Sequence, residues 1–427
     1  MTEPTELVQT ADANQARAAE PQASVWVSAN AGTGKTAVLV KRILRLLLTG
    51  AAPESILCLT YTKTAAAEMQ NRLLKTLSGW ALMPDGKLQA ELGQLLKEPF
   101  HEEDMQTARR LFARVLEARG GLKIHTIHGF CERLLQRFPL EATVTPNFTV
   151  LDETSATRAR NEAFDTVAMK AVAAPNSPLG HALSKVVGLT SENQFREVVG
   201  EILAKRAELA RIVHRHAERA PTAHWPGLET QALKTFFGIE DSDEEALVAA
   251  QFSVLTDEQI SAAATALSTF GNTKTDKGAE EALRRARLAT ESNRVALLKE
   301  FFLTKKGEPR AKLIGKAVLD GAPATAALLD EAKIAFARIE TDLAHLRVVE
   351  ATGAVFTFAD AVQTAYDVEK RREAALDYDD LIVKTLDLLS RSNAAAWVLY
   401  KIDGGMDHIL VDEAQDTNPE QWSIVEA

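Results

Sequence analysis

The sequence predicts an α/β fold in which a core with a parallel sheet is interrupted by a large all-helical insertion. Near the start and the end of the chain, short apolar runs are followed by polar turns and helical patterns, which is typical of parallel strands joined through helices. Between residues 151 and 375 such runs disappear, and Ala, Leu, Glu, Arg and Lys recur at helical spacing, as in Glu280–Leu288. We therefore expect a core at 1–150 with a helical excursion at 77–119, the insertion at 151–375, and a return to the core at 376–427.

The first strand and helix of the core flank a glycine-rich loop. Ser24–Val27 is a short β-rich run, and a helical apolar face begins just after Lys35. The loop between them, Ser28–Thr36, reads Ser-Ala-Asn-Ala-Gly-Thr-Gly-Lys-Thr. Gly32 and Gly34 allow successive backbone N–H groups to face phosphate oxygens, and the helix directs its positive N-terminus at the same charge. The pattern predicts a phosphate-binding loop.

Each position of this loop has an expected role. Lys35 would reach the β- and γ-phosphates of a nucleotide, and Thr36 would hold a magnesium ion. The expected nucleotide-binding residues are Ala29, Asn30, Ala31, Gly32, Thr33, Gly34, Lys35 and Thr36. The pattern G-x-x-x-x-G-K-[ST] has glycine where Ala29 stands, so the first position is only small. The alternative is an ordinary glycine-rich turn, which the preceding strand and the following helix disfavour.

The return segment carries a pair of carboxylates after another apolar run. His408–Val411 suits a strand buried in a parallel sheet, and it delivers Asp412 and Glu413 at its carboxyl end, where such sheets bind ligands. We expect Asp412 to bind magnesium and Glu413, with Lys35, to act in catalysis by orienting and deprotonating the attacking water. Alone, such a pair can be a solvent-facing strand end. The phosphate loop upstream favours an ATP- and Mg²⁺-dependent hydrolase.

Two further strands end in side chains suited to unpaired nucleic acid. The run Ile56–Thr60 leads into Tyr-Thr-Lys, and Ile124–Thr126 leads into Ile-His-Gly-Phe. Threonine and lysine suit phosphates, whereas tyrosine and histidine can stack on bases. The expected DNA-binding residues are Thr60, Tyr61, Thr62, Lys63, Thr126 and His128.

The ordered motifs resemble the superfamily 1 DNA helicases related to UvrD, Rep and RecB. The motifs that carry the resemblance are Ala-Gly-Thr-Gly-Lys-Thr, Thr-Tyr-Thr-Lys-Thr-Ala-Ala-Ala-Glu-Met, Thr-Ile-His-Gly-Phe, Leu-Asp-Tyr-Asp-Asp-Leu-Ile and Val-Asp-Glu-Ala-Gln-Asp-Thr-Asn. Within that superfamily, Trp-Val-Ser-Ala-Asn-Ala-Gly and Phe-Leu-Thr-Lys-Lys-Gly-Glu-Pro-Arg resemble the AddA branch, the helicase–nuclease subunits of bacterial double-strand break repair.

This resemblance implies more than the residues alone do. It implies a RecA-like core that uses ATP and Mg²⁺, 3′ to 5′ movement on DNA with a single-stranded 3′ tail and a duplex end, and an AddB-like partner subunit. It implies that Gln15 reads the adenine edge, although Gln15 by itself is only an amide in a polar leader. It also implies that Gln415 and Asp416 couple nucleotide hydrolysis to movement.

Composition sets limits on these expectations. The 427 residues are 46% hydrophobic and 25% charged, a globular balance that is long for one domain. Two cysteines, the lack of a membrane-length apolar run and a polar leader are consistent with a cytoplasmic protein without membrane contact. The net charge of −10 argues against nonspecific coating of DNA, so DNA contacts should be local.

Two charged clusters have structural interpretations. Lys305, Lys306, Arg310, Lys312 and Lys316 could touch duplex DNA, but a solvated loop is the favoured interpretation. The three aspartates of Leu-Asp-Tyr-Asp-Asp-Leu-Ile suggest a metal site less than helix caps.

The acidic motif lies near the last residue, Ala427. We therefore expect the N-terminal part of a longer helicase, without the second RecA-like domain or the nuclease domain, and with little turnover of its own because arginines from a second domain complete such sites. Two alternatives remain open: a catalytically inactive fragment that binds ATP and DNA, and a phosphate-loop NTPase of another branch.

Overall fold

A computed structural model describes most of the chain. The described residues are 13–28, 34–96, 102–118, 121–206, 208, 209, 212, 224–390, 392–403 and 406–427. They form two compact units. Unit 1 comprises Met1–Arg158 and Val368–Ala427, and unit 2 comprises Ala159–Asp367.

Unit 1 is built from helices around a small parallel sheet. After a short helical segment at 13–18 come α1 (Lys35–Leu48), β1 (Ile56–Thr60), α2 (Lys63–Leu82), α3 (Asp85–Leu96), α4 (Glu102–Glu117), β2 (Lys123–Thr126), α5 (Ile127–Arg137) and β3 (Thr149–Val150). The return segment contributes β4 (Ala375–Leu376), α16 (Tyr378–Ser390), α17 (Ser392–Asp403), β5 (His408–Val411) and α18 (Pro419–Glu426). Short 3₁₀ turns lie at Pro53–Ser55 and Ala414–Asp416.

The main sheet has the order β2-β1-β5 and is parallel throughout. In its register, Cys58 lies opposite Ile124 on one side and Leu410 on the other. A second parallel pair, β3 with β4, joins Val150 to Leu376. Because parallel strands run the same way, the carboxyl ends of β1, β2 and β5 meet at one edge.

The central strand β1 is buried on both faces, as its uninterrupted apolar sequence predicts. Ile56 and Cys58 pack into a core with α1 to α4. Leu57 and Leu59 pack into a second core with α5, α16 and α17. Burial raises the pKa of the Cys58 thiol to about 12, so this cysteine is a core residue rather than a nucleophile.

Three of the four expected core strands are confirmed, and one is not. β1, β2 and β5 form where the apolar runs predict them. Residues Ser24–Val27 have no strand hydrogen bonds, and Trp26 is largely exposed, with its ring edge-on to Trp422. A short β-rich run becomes a strand only when a neighbour takes up its backbone groups. The described sheets are therefore small, and the molecule is mostly helical.

Unit 2 is helical in its described residues. It contains most of α6 (Glu153–Ala173), then α7 (Pro178–Val187), α8 (Glu192–Ala204), α9 (Trp225–Phe237), α10 (Glu244–Phe252), α11 (Asp257–Phe270), α12 (Lys274–Leu288), α13 (Glu291–Phe302), α14 (Lys316–Gly321) and most of α15 (Pro323–Arg372). Apart from one bridge between Leu303 and Pro309, no strand pairing occurs in the part of unit 2 that is described.

Two apolar clusters hold unit 2 together. One lies among α11 to α15 around Phe302 and Phe336. The other lies among α6, α7, α8 and the later part of α15, where Phe164, Phe195 and Phe358 contact one another at 4.7 to 5.6 Å between ring centroids. Among all described helices, none is both long and apolar enough to cross a membrane.

Candidate nucleotide and nucleic-acid site

The expected catalytic residues come together at the carboxyl edge of the main sheet. Lys35, in the first turn of α1, lies 3.2 Å from Glu413 through Nζ and Oε2, although 378 positions separate them in sequence. Asp412 follows β5 directly, and its N–H donates to the Leu59 carbonyl at 2.8 Å. Pairing of β5 with β1 therefore fixes the acidic motif opposite the start of α1.

The loop before α1 is only partly described. Ala29, Asn30, Ala31, Gly32 and Thr33 lie outside the described residues. Gly34 has φ +83°, in the left-handed region that glycine adopts without strain, and it stands directly before the helix. Thr36 lies in the first turn beside Lys35 and is partly buried.

Gln15 lies close to this loop. A side chain built at Gly34 would come within 3.7 Å of its amide nitrogen Nε2. Lys41, further along α1, donates from Nζ to Gln15 Oε1 at 3.2 Å. Proximity to the loop thus supports the role that the family resemblance implies for Gln15.

Glu413 is held by two donors and by an unusual backbone. Both Lys35 Nζ and Gln415 Nε2 donate to Oε2 of Glu413. The Gln415 hydrogen bond and then Lys35 lower the pKa of Glu413, so its carboxyl is ionised at neutral pH. Its backbone has φ +52° and ψ +44°, a conformation that non-glycine residues rarely adopt. Asp416, at the end of the same turn, is exposed.

Asp412 has the environment of a carboxylate that favours a cation. It is 6% exposed, and its Oδ1 accepts the N–H of Glu413 at 3.1 Å. Burial and then the negative charge of Glu413 raise its pKa. In the described part of the chain, no group of three or more His, Cys, Asp or Glu could hold a metal by itself. A magnesium ion would therefore need Asp412 together with Thr36 and nucleotide oxygens, which is how Mg²⁺ usually binds.

The end of β1 presents one aromatic and one cationic side chain. Tyr61 is 53% exposed and Lys63 is exposed at the start of α2. The other two polar residues are occupied by the backbone: Thr60 is buried and its hydroxyl donates to the Thr62 carbonyl at 3.1 Å, while Thr62 caps α2 by accepting the Ala65 N–H at 3.1 Å. Both threonines shape the turn that displays Tyr61.

The end of β2 is similar. Thr126 caps α5 by accepting the Gly129 N–H at 3.0 Å. His128 packs edge-on against Tyr378, with ring centroids 5.1 Å apart. Burial lowers the pKa of His128, against the smaller raising effect of Asp379, so the ring is neutral at neutral pH and suited to stacking. Sequence reasoning missed Tyr378, because the only signal was its place among the three aspartates.

Those aspartates form a cap, as the sequence predicts. Asp377 Oδ1 accepts the Asp380 N–H at 2.9 Å, and Asp380 Oδ2 accepts the Asp377 N–H at 3.2 Å. Lys370 donates to Asp380 Oδ2 at 2.6 Å and to Asp377 Oδ2 at 3.3 Å. The cluster fixes the start of α16, where Tyr378 meets His128.

Comparison with known proteins agrees with this geometry. Residues 10–427 match the family described as the UvrD/REP helicase N-terminal domain. The chain belongs to the UvrD/REP helicase family. The AddA protein of the ATP-dependent helicase/nuclease of Lactiplantibacillus plantarum is 26% identical over 96% of this chain and 33% of its own length. The proteins of the same name from Enterococcus faecalis and Lactobacillus gasseri are 24% identical over 94% of this chain and 38% identical over 31% of it.

These relatives extend well beyond the matched region. The chain spans about a third of the length of the first two. Their shared name agrees with the resemblance to AddA that the motifs indicate, and membership of the UvrD/REP family disfavours a phosphate-loop NTPase of another branch.

Proposed function

We propose that this chain forms the ATP-binding and DNA-contacting part of an AddA-like, ATP-dependent 3′ to 5′ DNA helicase that acts in double-strand break repair in the cytoplasm. The observation that carries the proposal is the contact between Lys35 and Glu413 at the carboxyl edge of the sheet. A cation for phosphate and a carboxylate for water are thereby brought together in one RecA-like site.

The residues around this contact divide the chemistry among them. Lys35 binds the β- and γ-phosphates, and the backbone of residues 29–34 surrounds them. Thr36 and Asp412 hold a magnesium ion, which when bound neutralises the charge that develops on the transferred phosphoryl group. Gln15 recognises adenine. Glu413 accepts a proton from the attacking water, and Gln415 and Asp416 link hydrolysis to movement.

DNA is proposed to lie at the ends of β1 and β2, beside the nucleotide. Tyr61 and His128 stack on unpaired bases, each contributing about 1 to 3 kcal/mol, and Lys63 pairs with phosphate. Thr60, Thr62 and Thr126 hold the turns that present these side chains. The natural substrate would be a duplex end with a single-stranded 3′ tail, and an AddB-like protein would be the partner.

Two binding experiments test the nucleotide and DNA parts separately. Mg-ATP should bind to the wild-type chain, and Lys35→Ala should abolish binding in calorimetry, whereas Lys75→Ala, a change of the same type on α2, should not. Equal affinity in wild type and Lys35→Ala would contradict the nucleotide site. Single-stranded DNA should bind better than duplex, and the double substitution Tyr61→Ala with His128→Ala should weaken that binding by roughly 10-fold or more, about 2 kcal/mol or above. Unchanged DNA affinity would point to an NTPase that does not use this surface.

A further inference from the structure

We propose that Glu413 restrains its own site by occupying Lys35, so that a nucleotide phosphate must displace the carboxylate before Glu413 can act on water. This inference rests on the proposed function and concerns regulation of the same site. It makes the proton acceptor available only when phosphate has taken its place on the lysine.

The contact geometry supports the restraint. Lys35 Nζ and Gln415 Nε2 both donate to one oxygen, Oε2 of Glu413. An acceptor that already receives two donors, one of them charged, is a poor partner for an additional water proton. The lysine that should meet phosphate is at the same time neutralised by a carboxylate. One contact therefore lowers both the affinity for phosphate and the basicity available for catalysis.

The backbone supports the view that this position is a held state. Glu413 has φ +52° and ψ +44°, which glutamate adopts only when surrounding contacts impose it. The contacts within reach are the two side-chain donors at Oε2 and the bond from its own N–H to Asp412 Oδ1. When phosphate removes Lys35, one of the constraints is lost, and the side chain can turn towards the position of the attacking water.

The size of the effect follows from exposure. The side chains of Lys35 and Glu413 are 25% and 38% exposed, so water screens the pair. Pairs of this kind contribute little, and their removal should tighten phosphate binding by about two- to fivefold. An effect of that size is readily measured.

The experiment uses ADP without magnesium, so that neither hydrolysis nor the metal at Asp412 contributes. Calorimetry gives the dissociation constant for the wild-type 427-residue chain and for Glu413→Gln, Glu413→Asp, Gln415→Ala and Asp416→Asn. Glu413→Asp keeps the charge but is one methylene shorter, so it cannot span the distance to Lys35. Asp416→Asn removes a charge from the same turn without touching Lys35. Circular dichroism establishes that each variant is folded.

The expected result is tighter ADP binding by about two- to fivefold in both Glu413→Gln and Glu413→Asp, a smaller gain in Gln415→Ala, and no change in Asp416→Asn. Wild-type affinity in Glu413→Asp would overturn the proposal, because a gain confined to Glu413→Gln would then reflect charge alone. The proposed function fails differently: all variants would bind no ADP, or Lys35→Ala would bind it as wild type does.

Discussion

At the scale of single residues, Asp412 links acidity to metal binding. Its carboxylate is buried beside another negative charge, and its pKa is raised for that reason. Magnesium binds only the ionised form. As pH falls, Asp412 therefore takes up its proton, and loses the metal, at a higher pH than an ordinary aspartate would.

The measurable consequence is a pH-dependent magnesium effect. We expect the gain in ADP affinity on adding Mg²⁺ to disappear above the pH range in which ordinary aspartates titrate. Calorimetry with and without Mg²⁺, across a series from neutral to acidic pH, follows this loss. Asp412→Asn serves as the baseline, since ADP itself titrates equally in both proteins. A magnesium gain that persists down to ordinary aspartate pKa values would contradict the expectation.

At the scale of elements, the start of α16 depends on one buried cation. Lys370, Asp377 and Asp380 are largely removed from water, and the lysine is paired with both carboxylates. Removal of one partner from a buried ion pair leaves an uncompensated charge and costs about 3 to 5 kcal/mol. We expect Lys370→Ala to lower the free energy of unfolding by that amount in urea denaturation.

Two residues along α15, an exposed pair provides the control. Arg372 contacts Glu369 at 3.5 Å, and its side chain is 79% exposed. Arg372→Ala should cost about 0.5 kcal/mol or less. Equal losses in the two variants would show that the buried cluster does not stabilise this helix start. Because Tyr378 follows the cluster directly, Lys370→Ala should also weaken single-stranded DNA binding through His128.

The elements also show how far the sequence allows prediction. Apolar runs of four or five residues before polar turns locate β1, β2 and β5, and the threonines after two of them act as helix caps. Local pattern is sufficient there because strand burial and capping are decided within a few residues. Ser24–Val27 has the same local pattern but no strand pairing in the structure. Strand formation at that position depends on a neighbour that periodicity cannot identify.

The site shows a similar division. The residue types at Lys35, Asp412 and Glu413 follow from motif chemistry, and the structure brings Lys35 and Glu413 into contact. The second donor to Glu413, the occupied hydroxyl of Thr60 and the ring contact of Tyr378 with His128 do not follow from it. Each depends on side-chain directions that a linear pattern does not contain.

At the scale of the whole molecule, two units with separate cores share one chain. Phe336 is fully buried in unit 2, and replacing it with alanine should cost about 3 to 5 kcal/mol. The described nucleotide-site residues all belong to unit 1. We therefore expect Phe336→Ala to reduce hydrogen-exchange protection in α12 to α14 while β1 and β5 keep theirs and ADP affinity is unchanged.

Phe236 provides the matched control, because its ring is 79% exposed. Phe236→Ala should leave exchange protection in both units nearly as in the wild type. If Phe336→Ala instead weakened ADP binding or loosened β1 and β5 to the same extent, the two units would unfold as one cooperative body.

The position of β5 in the sequence has a consequence for how the protein is made. The central strand β1 leaves the ribosome early, but its partner β5 and the carboxylates behind it follow only after all of unit 2 has been synthesised. At roughly 5 to 20 residues per second, that delay lasts on the order of tens of seconds. During this time β1 has one free edge that exposes backbone groups to water and to other nascent chains. We expect folding intermediates to be most vulnerable to aggregation and proteolysis at that edge, and nucleotide to stabilise the chain only after translation has passed Glu413.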